Sequence, residues 1–204
     1  MGGRIFRNFS FKEFTQEDNG TLSIGRLTGI PSINSPQPPG NVSTWFLGTR
    51  AENGQVFKEL IGKAVDHVIQ YRQDYLPGEP ETITPEVKAS PEYQAGMNAL
   101  MDAYDELLKY LNEYATPYFS MRYQGHVLWD TTLPAMLGYF ATMLHNPNQL
   151  SIQLSTATTL LELQVGRDLC AMVGFGSDNK IEPWSHITAG GSIAIVEAVW
   201  ATRE

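Results

Sequence analysis

The spacing of apolar residues predicts a chain built mostly from amphipathic helices. In residues 51–76 and 90–115, apolar side chains recur three and four positions apart, which places them on one face of a helix. Pro77-Gly78 ends the first helix, and Ser90-Pro91 supplies a cap and a favoured first residue for the second. We expect both apolar faces to be core. They consist of Phe57, Leu60, Ile61, Ala64, Val65, Val68 and Tyr75 in the first helix, and Met97, Leu100, Met101, Tyr104, Leu107, Leu108 and Leu111 in the second.

Three further helices are predicted in the second half of the chain. One covers residues 134–145 and is closed by Asn146-Pro147-Asn148, and the next covers 156–173 and stops at Gly174. The last begins at Ser192 and continues to the end of the sequence. We expect the middle helix to bury one face and to leave its acidic residues in solvent. That face is Leu160, Leu163, Gly166, Leu169 and Cys170, with Gly166 open to a close helix contact, and the acidic residues are Glu162 and Asp168.

Two segments lack helical periodicity. Residues 1–44 are polar and turn-rich, with prolines that exclude a helix, and they form either a loose lead-in or an arm that wraps a partner subunit. Trp45-Phe46-Leu47 then forms a short apolar knot. Residues 116–130 are aromatic, polar and irregular, which is typical of pocket-lining segments, although a buried connector has the same composition.

Composition narrows the class of protein. The 204 residues carry a formal charge of −8, which argues against a nucleic-acid partner. The sequence contains no run of eighteen apolar residues, the length that a membrane-spanning helix needs. The start of the sequence lacks an apolar signal core, and Cys170 as the single cysteine excludes an internal disulfide. We therefore expect a cytoplasmic protein. The four histidines share no metal-ligand spacing, so no metal site is predicted.

The clearest candidate for chemistry is a strand, a glycine turn and a helix start at residues 186–194. His186, Ile187 and Thr188 have strand composition, Gly190-Gly191 breaks the strand, and Ser192 stands where a helix N-cap belongs. Free backbone N–H groups and the helix dipole make such a turn a cradle for an anion, and the Ser192 hydroxyl would add a donor. A plain connection between strand and helix is the alternative.

The order of several short motifs resembles one known family. The series is Ser120-Met121-Arg122-Tyr123-Gln124-Gly125-His126, Thr132-Leu133-Pro134, Asn146-Pro147-Asn148, Ser155-Thr156-Ala157-Thr158-Thr159, Met172-Val173-Gly174-Phe175, and the turn HITAGGSIA of residues 186–194. From about Thr44 onwards it resembles the pyridoxal-phosphate-dependent group II amino-acid decarboxylases, most closely their tyrosine-decarboxylase-like branch.

The resemblance implies a fold, a cofactor and site residues. The fold class would be α/β, aspartate-aminotransferase-like (fold type I): an arm at 1–44, a helical segment at 45–130, and the incomplete start of a large cofactor domain at 131–204. Pyridoxal 5'-phosphate would be the cofactor, with Gly191 and Ser192 binding its phosphate and Tyr123 and His126 near the substrate. The activity would be decarboxylation of an L-amino acid, such as the aromatic amino acid tyrosine, in a homodimer.

Departures from the family pattern leave other functions open. Ile195 replaces the usual Asn of the turn, and the Schiff-base lysine and the aspartate that pairs with the pyridine nitrogen lie beyond this sequence in the family. We therefore expect an N-terminal fragment with no catalytic residue of its own. The alternatives are a catalytically inert helical dimerisation module, and a different lyase or transferase on the same fold.

Overall fold

A computed structural model of the chain describes residues 40–125, 130–176 and 183–203. Contacts divide these residues into two compact units, one that ends at Leu144 and one that begins at His145. The domain boundaries predicted after residues 44 and 130 follow from the family resemblance, and they stay predictions. Across the described ranges, no helix is both long and apolar enough to cross a membrane.

The first unit opens with a short 3-10 helix, Val42–Trp45, and a tight turn into helix α1, Gly54–Tyr75. The side chain of Asn41 caps the 3-10 helix by accepting from the Ser43 N–H. Asn53 donates its side-chain amide to the Phe46 carbonyl at 2.7 Å. The apolar knot at 45–47 is thus tied to the start of α1, and its side chains are half-buried.

Helices α2, Pro85–Ala89, and α3, Pro91–Tyr114, meet at one serine. Ser90 ends α2 through its N–H, which donates to the Val87 carbonyl, and it caps α3 by accepting from the Tyr93 N–H at 3.2 Å. The predicted Ser90-Pro91 helix start is confirmed. The side chain of Thr84 caps α2 by accepting from the Val87 N–H.

Helix α4, Leu133–His145, begins where Thr132 accepts from the Ala135 N–H, and it ends at Asn146 with φ 45°. In the second unit, helix α5 is Thr156–Met172 and helix α6 is Gly191–Arg203. Gly174, two residues after the last helical residue, stops helix α5, and its φ of 73° is the left-handed conformation that glycine adopts without strain. These stops agree with those predicted from Asn146 and Gly174.

Two predictions at the glycine turn are wrong. Residues 186–188 are not a strand, and the described parts of the chain contain none, because a strand needs a hydrogen-bonded partner strand and here none lies alongside. The α/β architecture is therefore not visible in these helical units. Ser192 is not the N-cap either: the Gly190 carbonyl accepts the first helical bond from the Ala194 N–H at 3.0 Å, so Gly190 is the cap.

The predicted cores are largely uncovered. The apolar face of α1 is half-buried up to Val68, and that of α3 is exposed, with Leu100 at 60% and Tyr104 at 58%. Among described residues the buried apolar side chains are Leu133 and Cys170. The face of α3 is uncovered because the five-residue α2 is the described helix that packs most closely on it. The predicted face of α5 is partly confirmed, since Gly166 and Cys170 are buried.

Candidate cofactor-phosphate site

The turn before α6 requires glycine at one position. Gly190 has a φ of 151°, which side chains with a Cβ rarely adopt. Its carbonyl accepts two hydrogen bonds at 3.0 Å each, from the Thr188 hydroxyl and from the Ala194 N–H. Both donors lie close in sequence, so the turn is closed by its own backbone and one hydroxyl.

The first turn of α6 presents free donors. The N–H groups of Gly191, Ser192 and Ile193 precede the first helical hydrogen bond, and no described residue accepts from them. Gly191 and Ser192 are exposed, and a Cβ placed on Gly191 would have no neighbour within 4 Å. Open space, unpaired N–H groups and the positive end of a helix dipole suit a phosphate group, so these residues fit the cofactor that the motifs imply.

Ile195, two residues after the last of these N–H donors, offers no polar group. Ile195 stands where the family usually has Asn, and its side chain is 67% exposed in the second turn of α6. It therefore neither donates to an anion nor braces the turn by a side-chain hydrogen bond. In this chain, backbone N–H groups and the Ser192 hydroxyl are the donors that the turn supplies.

An imidazole between two carboxylates lies beside the turn. His186 Nε2 is 2.7 Å from Glu197 Oε2 on α6, and its Nδ1 is 3.8 Å from Glu162 Oε1 on α5. The Trp184 ring stacks on the imidazole with centroids 5.1 Å apart. We call these four residues the His186 cluster. Glu162, predicted to be solvated, is instead half-buried, and His186 of the loop before α6 lies 3.8 Å from its carboxylate.

The same loop contacts α5 one turn further along. The Ser185 hydroxyl donates to the Gly166 carbonyl at 2.9 Å, and a Cβ on Gly166 would stand 2.7 Å from the Ser185 carbonyl oxygen. Gly166 therefore permits the predicted close contact, with a loop rather than a helix. The sequence held one signal for this arrangement: Glu162 and Gly166 are four residues apart and share a helix face.

The predicted substrate residues belong to the first unit, where only one is described. Tyr123 is half-buried, packs edge-on against Tyr118 with ring centroids 5.0 Å apart, and donates its N–H to the Ser120 carbonyl. A Cβ on Gly125 would stand 2.9 Å from the Tyr123 hydroxyl oxygen, so glycine there leaves room for the hydroxyl end of that ring. His126 lies outside the described residues.

No cluster of three metal-ligating side chains occurs within the ranges that the structure describes. The hydroxyl of Thr159 on α5 is a buried polar atom with no partner among those residues. Cys170 is a free, buried thiol on the same helix.

Comparison with known proteins gives one consistent result. The chain is 35% identical to the L-tyrosine decarboxylase of Enterococcus faecium and 34% identical to that of Levilactobacillus brevis, over 164 residues in each case. It is 31% identical to the L-tyrosine decarboxylase of Enterococcus faecalis over the same length. No protein-family model matches the chain.

Each match covers 80% of this chain but 25–26% of the relative, so the chain spans about a quarter of the length of the curated relatives it matches. The order of motifs and these identities point to the same proteins. They confirm the resemblance predicted from the motifs: over four fifths of its length, this chain is related to the tyrosine-decarboxylase-like branch of the pyridoxal-phosphate-dependent group II amino-acid decarboxylases.

Proposed function

We propose that this chain supplies the cofactor-phosphate site of an amino-acid decarboxylase that releases carbon dioxide from an L-amino acid and leaves the amine. Tyrosine is the first candidate substrate because the three relatives carry the name L-tyrosine decarboxylase. The observation that carries the proposal is the open first turn of α6, where the residues that carry three free backbone N–H groups and one hydroxyl are exposed. That turn stands in the same order of motifs as in the family.

Each residue of the proposed site has a separate role. Pyridoxal phosphate, when bound, supplies an electron sink for the bond that breaks at the substrate α-carbon. Gly191 and Ser192 hold its phosphate through N–H and hydroxyl donors, and Gly190 shapes the turn. Tyr123 and His126 contribute to the substrate side. The aspartate-aminotransferase-like fold, the homodimer and the cytoplasmic location are parts of this same proposal.

A helical dimerisation module is the second candidate. It is favoured by the exposed apolar face of α3, where seven large side chains are each at least 36% exposed. A monomer rarely leaves such a continuous apolar surface in water. The two candidates are compatible, because a chain could bind the phosphate and also pair with a second copy.

The phosphate site can be tested without interference from reactive aldehyde. Pyridoxine 5'-phosphate carries the phosphate and ring but cannot react with lysines, and pyridoxine is its matched control without phosphate. Titration calorimetry of the 204-residue chain should show binding of the phosphate form at least about tenfold tighter than binding of pyridoxine, a difference of about 1.4 kcal/mol. Equal affinities, or no binding of either, would mean that the turn is a plain connection.

A further inference from the structure

Three consecutive residues fasten the loop before α6. Trp184 stacks on His186, Ser185 bonds to the carbonyl of Gly166 on α5, and His186 faces a carboxylate on each helix. The loop is thus held at its centre to both helices of the second unit. Two residues later, Thr188 closes the glycine turn by donating to the Gly190 carbonyl.

The His186–Glu197 contact determines which ring nitrogen of His186 carries a hydrogen. An ionised carboxylate only accepts hydrogen bonds, so at 2.7 Å the Nε2 atom of His186 carries the hydrogen and donates it to Glu197. A hydrogen bond to an ionised acceptor is roughly twice as strong as one between neutral groups. Glu162 lies 3.8 Å from Nδ1, beyond hydrogen-bonding distance, and acts on the ring as a nearby charge.

The His186–Glu197 contact also links the residues on either side of the candidate phosphate site. His186 precedes the turn by a few residues, and Glu197 follows it on the second turn of α6. The two residues are eleven positions apart in sequence, and joining them closes a loop that contains Gly190, Gly191 and Ser192. Glycine-rich backbone is conformationally free, so a link across it reduces the number of orientations in which the N–H groups can point.

We propose that His186 is a positioning residue for the phosphate cradle: its Nε2–H bond to Glu197 fixes the turn so that the N–H groups of residues 191–193 converge on one anion. The proposal rests on the proposed function for its ligand, a phosphate monoester. It does not make His186 a catalytic residue, because no contact with a reacting atom is assigned to it.

The first test measures anion affinity. His186→Phe removes the donor and keeps a ring that can stack on Trp184, while His186→Gln keeps a side-chain N–H that can reach Glu197. Calorimetry with pyridoxine 5'-phosphate should show about a tenfold loss of affinity for His186→Phe and recovery to within about threefold of the parent for His186→Gln. Glu197→Gln should weaken binding more than Glu162→Gln, because only Glu197 lies within hydrogen-bonding distance.

The second test needs no ligand. Nitrogen-15 spectra of the His186 ring should show a protonated Nε2 in the parent, and the Glu197→Gln variant should change that ring signal. Amide hydrogen exchange should be faster at Ala194, whose N–H donates to Gly190, in His186→Phe than in His186→Gln. Helix α1, in the other compact unit, is the internal control and should exchange at the same rate in all variants.

The two tests separate the two proposals. Faster exchange at Ala194 with no phosphate binding by the parent would support the positioning role and contradict the phosphate site. Phosphate binding by the parent that is unchanged in His186→Phe, or exchange at Ala194 that does not respond, would overturn the positioning role. A loss of affinity that His186→Gln does not recover would also overturn it, because the proposed cause is the N–H donor.

Discussion

Gly166 on α5 and Ser185 in the loop before α6 are in backbone contact: the Ser185 hydroxyl donates to the Gly166 carbonyl at 2.9 Å, and a Cβ on Gly166 would lie 2.7 Å from the Ser185 carbonyl oxygen. Real Cβ atoms do not approach a backbone oxygen so closely. The absence of a side chain at residue 166 therefore sets how near the loop can lie to the helix. The position of this loop in turn determines how the chain enters the glycine turn.

Gly166→Ala should destabilise the second unit. Alanine is favoured over glycine within a helix by about 0.5–1 kcal/mol, but displacing the Ser185 backbone costs about 1–3 kcal/mol, so the net change should be a loss of stability. Gly96→Ala in α3 is the matched control, since a Cβ there meets nothing within 4 Å, and it should stabilise the chain. Urea titrations of both variants give the comparison. A Gly166→Ala variant as stable as Gly96→Ala would contradict the contact.

The phosphate site can be tested by substituting each of its two predicted residues, Ser192 and Gly191. Ser192→Ala should weaken binding of pyridoxine 5'-phosphate by about 1.5–3 kcal/mol, the range for a hydrogen bond to a charged group. Gly191→Val should weaken it further by blocking backbone approach, although the side chain has open space in the folded chain. Thr202→Val, which removes a hydroxyl from the last turn of the same helix, is the control and should leave the affinity unchanged. Parent-like affinity in both cradle variants would place the phosphate elsewhere.

The helices and their ends were predictable because local signals decide them. Proline and glycine after Leu76, the cap at Ser90, Asn146 and Gly174 each act within a few residues of their own position. The predicted strand at residues 186–188 failed for the opposite reason. Its composition suits a strand, but strand formation depends on a partner that is distant in sequence, and here His186 contacts Glu162 on α5 instead.

The residues of the candidate site also divide into those that the local sequence predicts and those that depend on contacts distant in sequence. Gly191 and Ser192 could be named from the turn alone, because free N–H groups at a helix start follow from backbone geometry. The pairing of His186 with Glu162 and Glu197 could not, since it requires knowing how two helices approach each other. Glu162 looked solvated because helical spacing assigns a face to a residue without saying what covers that face.

Glu52 should make the start of α1 sensitive to acid. Its carboxylate accepts from its own backbone N–H and, at 3.0 Å, from the Arg50 N–H, and these bonds lower the pKa of Glu52 below its usual value of 4.5. A lowered folded-state pKa means that the contribution to stability is complete above that usual value and is lost as pH falls through the folded-state pKa. NMR titration of Glu52 in folded and urea-unfolded chain should show the difference. In Glu52→Gln, this part of the pH dependence of unfolding should be absent; an identical profile would contradict the assignment.

The exposed face of α3 should cause self-association. Leu100 and Leu107 are 60% and 49% exposed within one apolar stripe, a surface that water disfavours. Light scattering at micromolar concentration should detect species larger than a monomer, and Leu100→Glu with Leu107→Glu should shift the chain towards monomer. Ala99→Glu, which adds one glutamate on the opposite side of α3, should not. A monomeric parent with a cooperative melt would remove the support for a dimerisation surface.

The 204-residue chain by itself should not decarboxylate amino acids. The family needs a lysine that holds the cofactor covalently and an aspartate that keeps the pyridine nitrogen protonated, and none of the six lysines here follows a histidine as the family lysine does. Of these, Lys58, Lys63, Lys88 and Lys109 are described, and all are exposed, so none lies in the kind of enclosed pocket that activates a lysine.

The chain would then bind the phosphate of the cofactor without fixing its aldehyde at one position. Incubation with pyridoxal 5'-phosphate, borohydride reduction and mass spectrometry should find low labelling spread over several lysines. Tyrosine, phenylalanine and glutamate should yield no carbon dioxide above a protein-free control. Full labelling of a single lysine together with turnover would contradict the prediction, because it would require a catalytic lysine in a sequence context unlike that of the family.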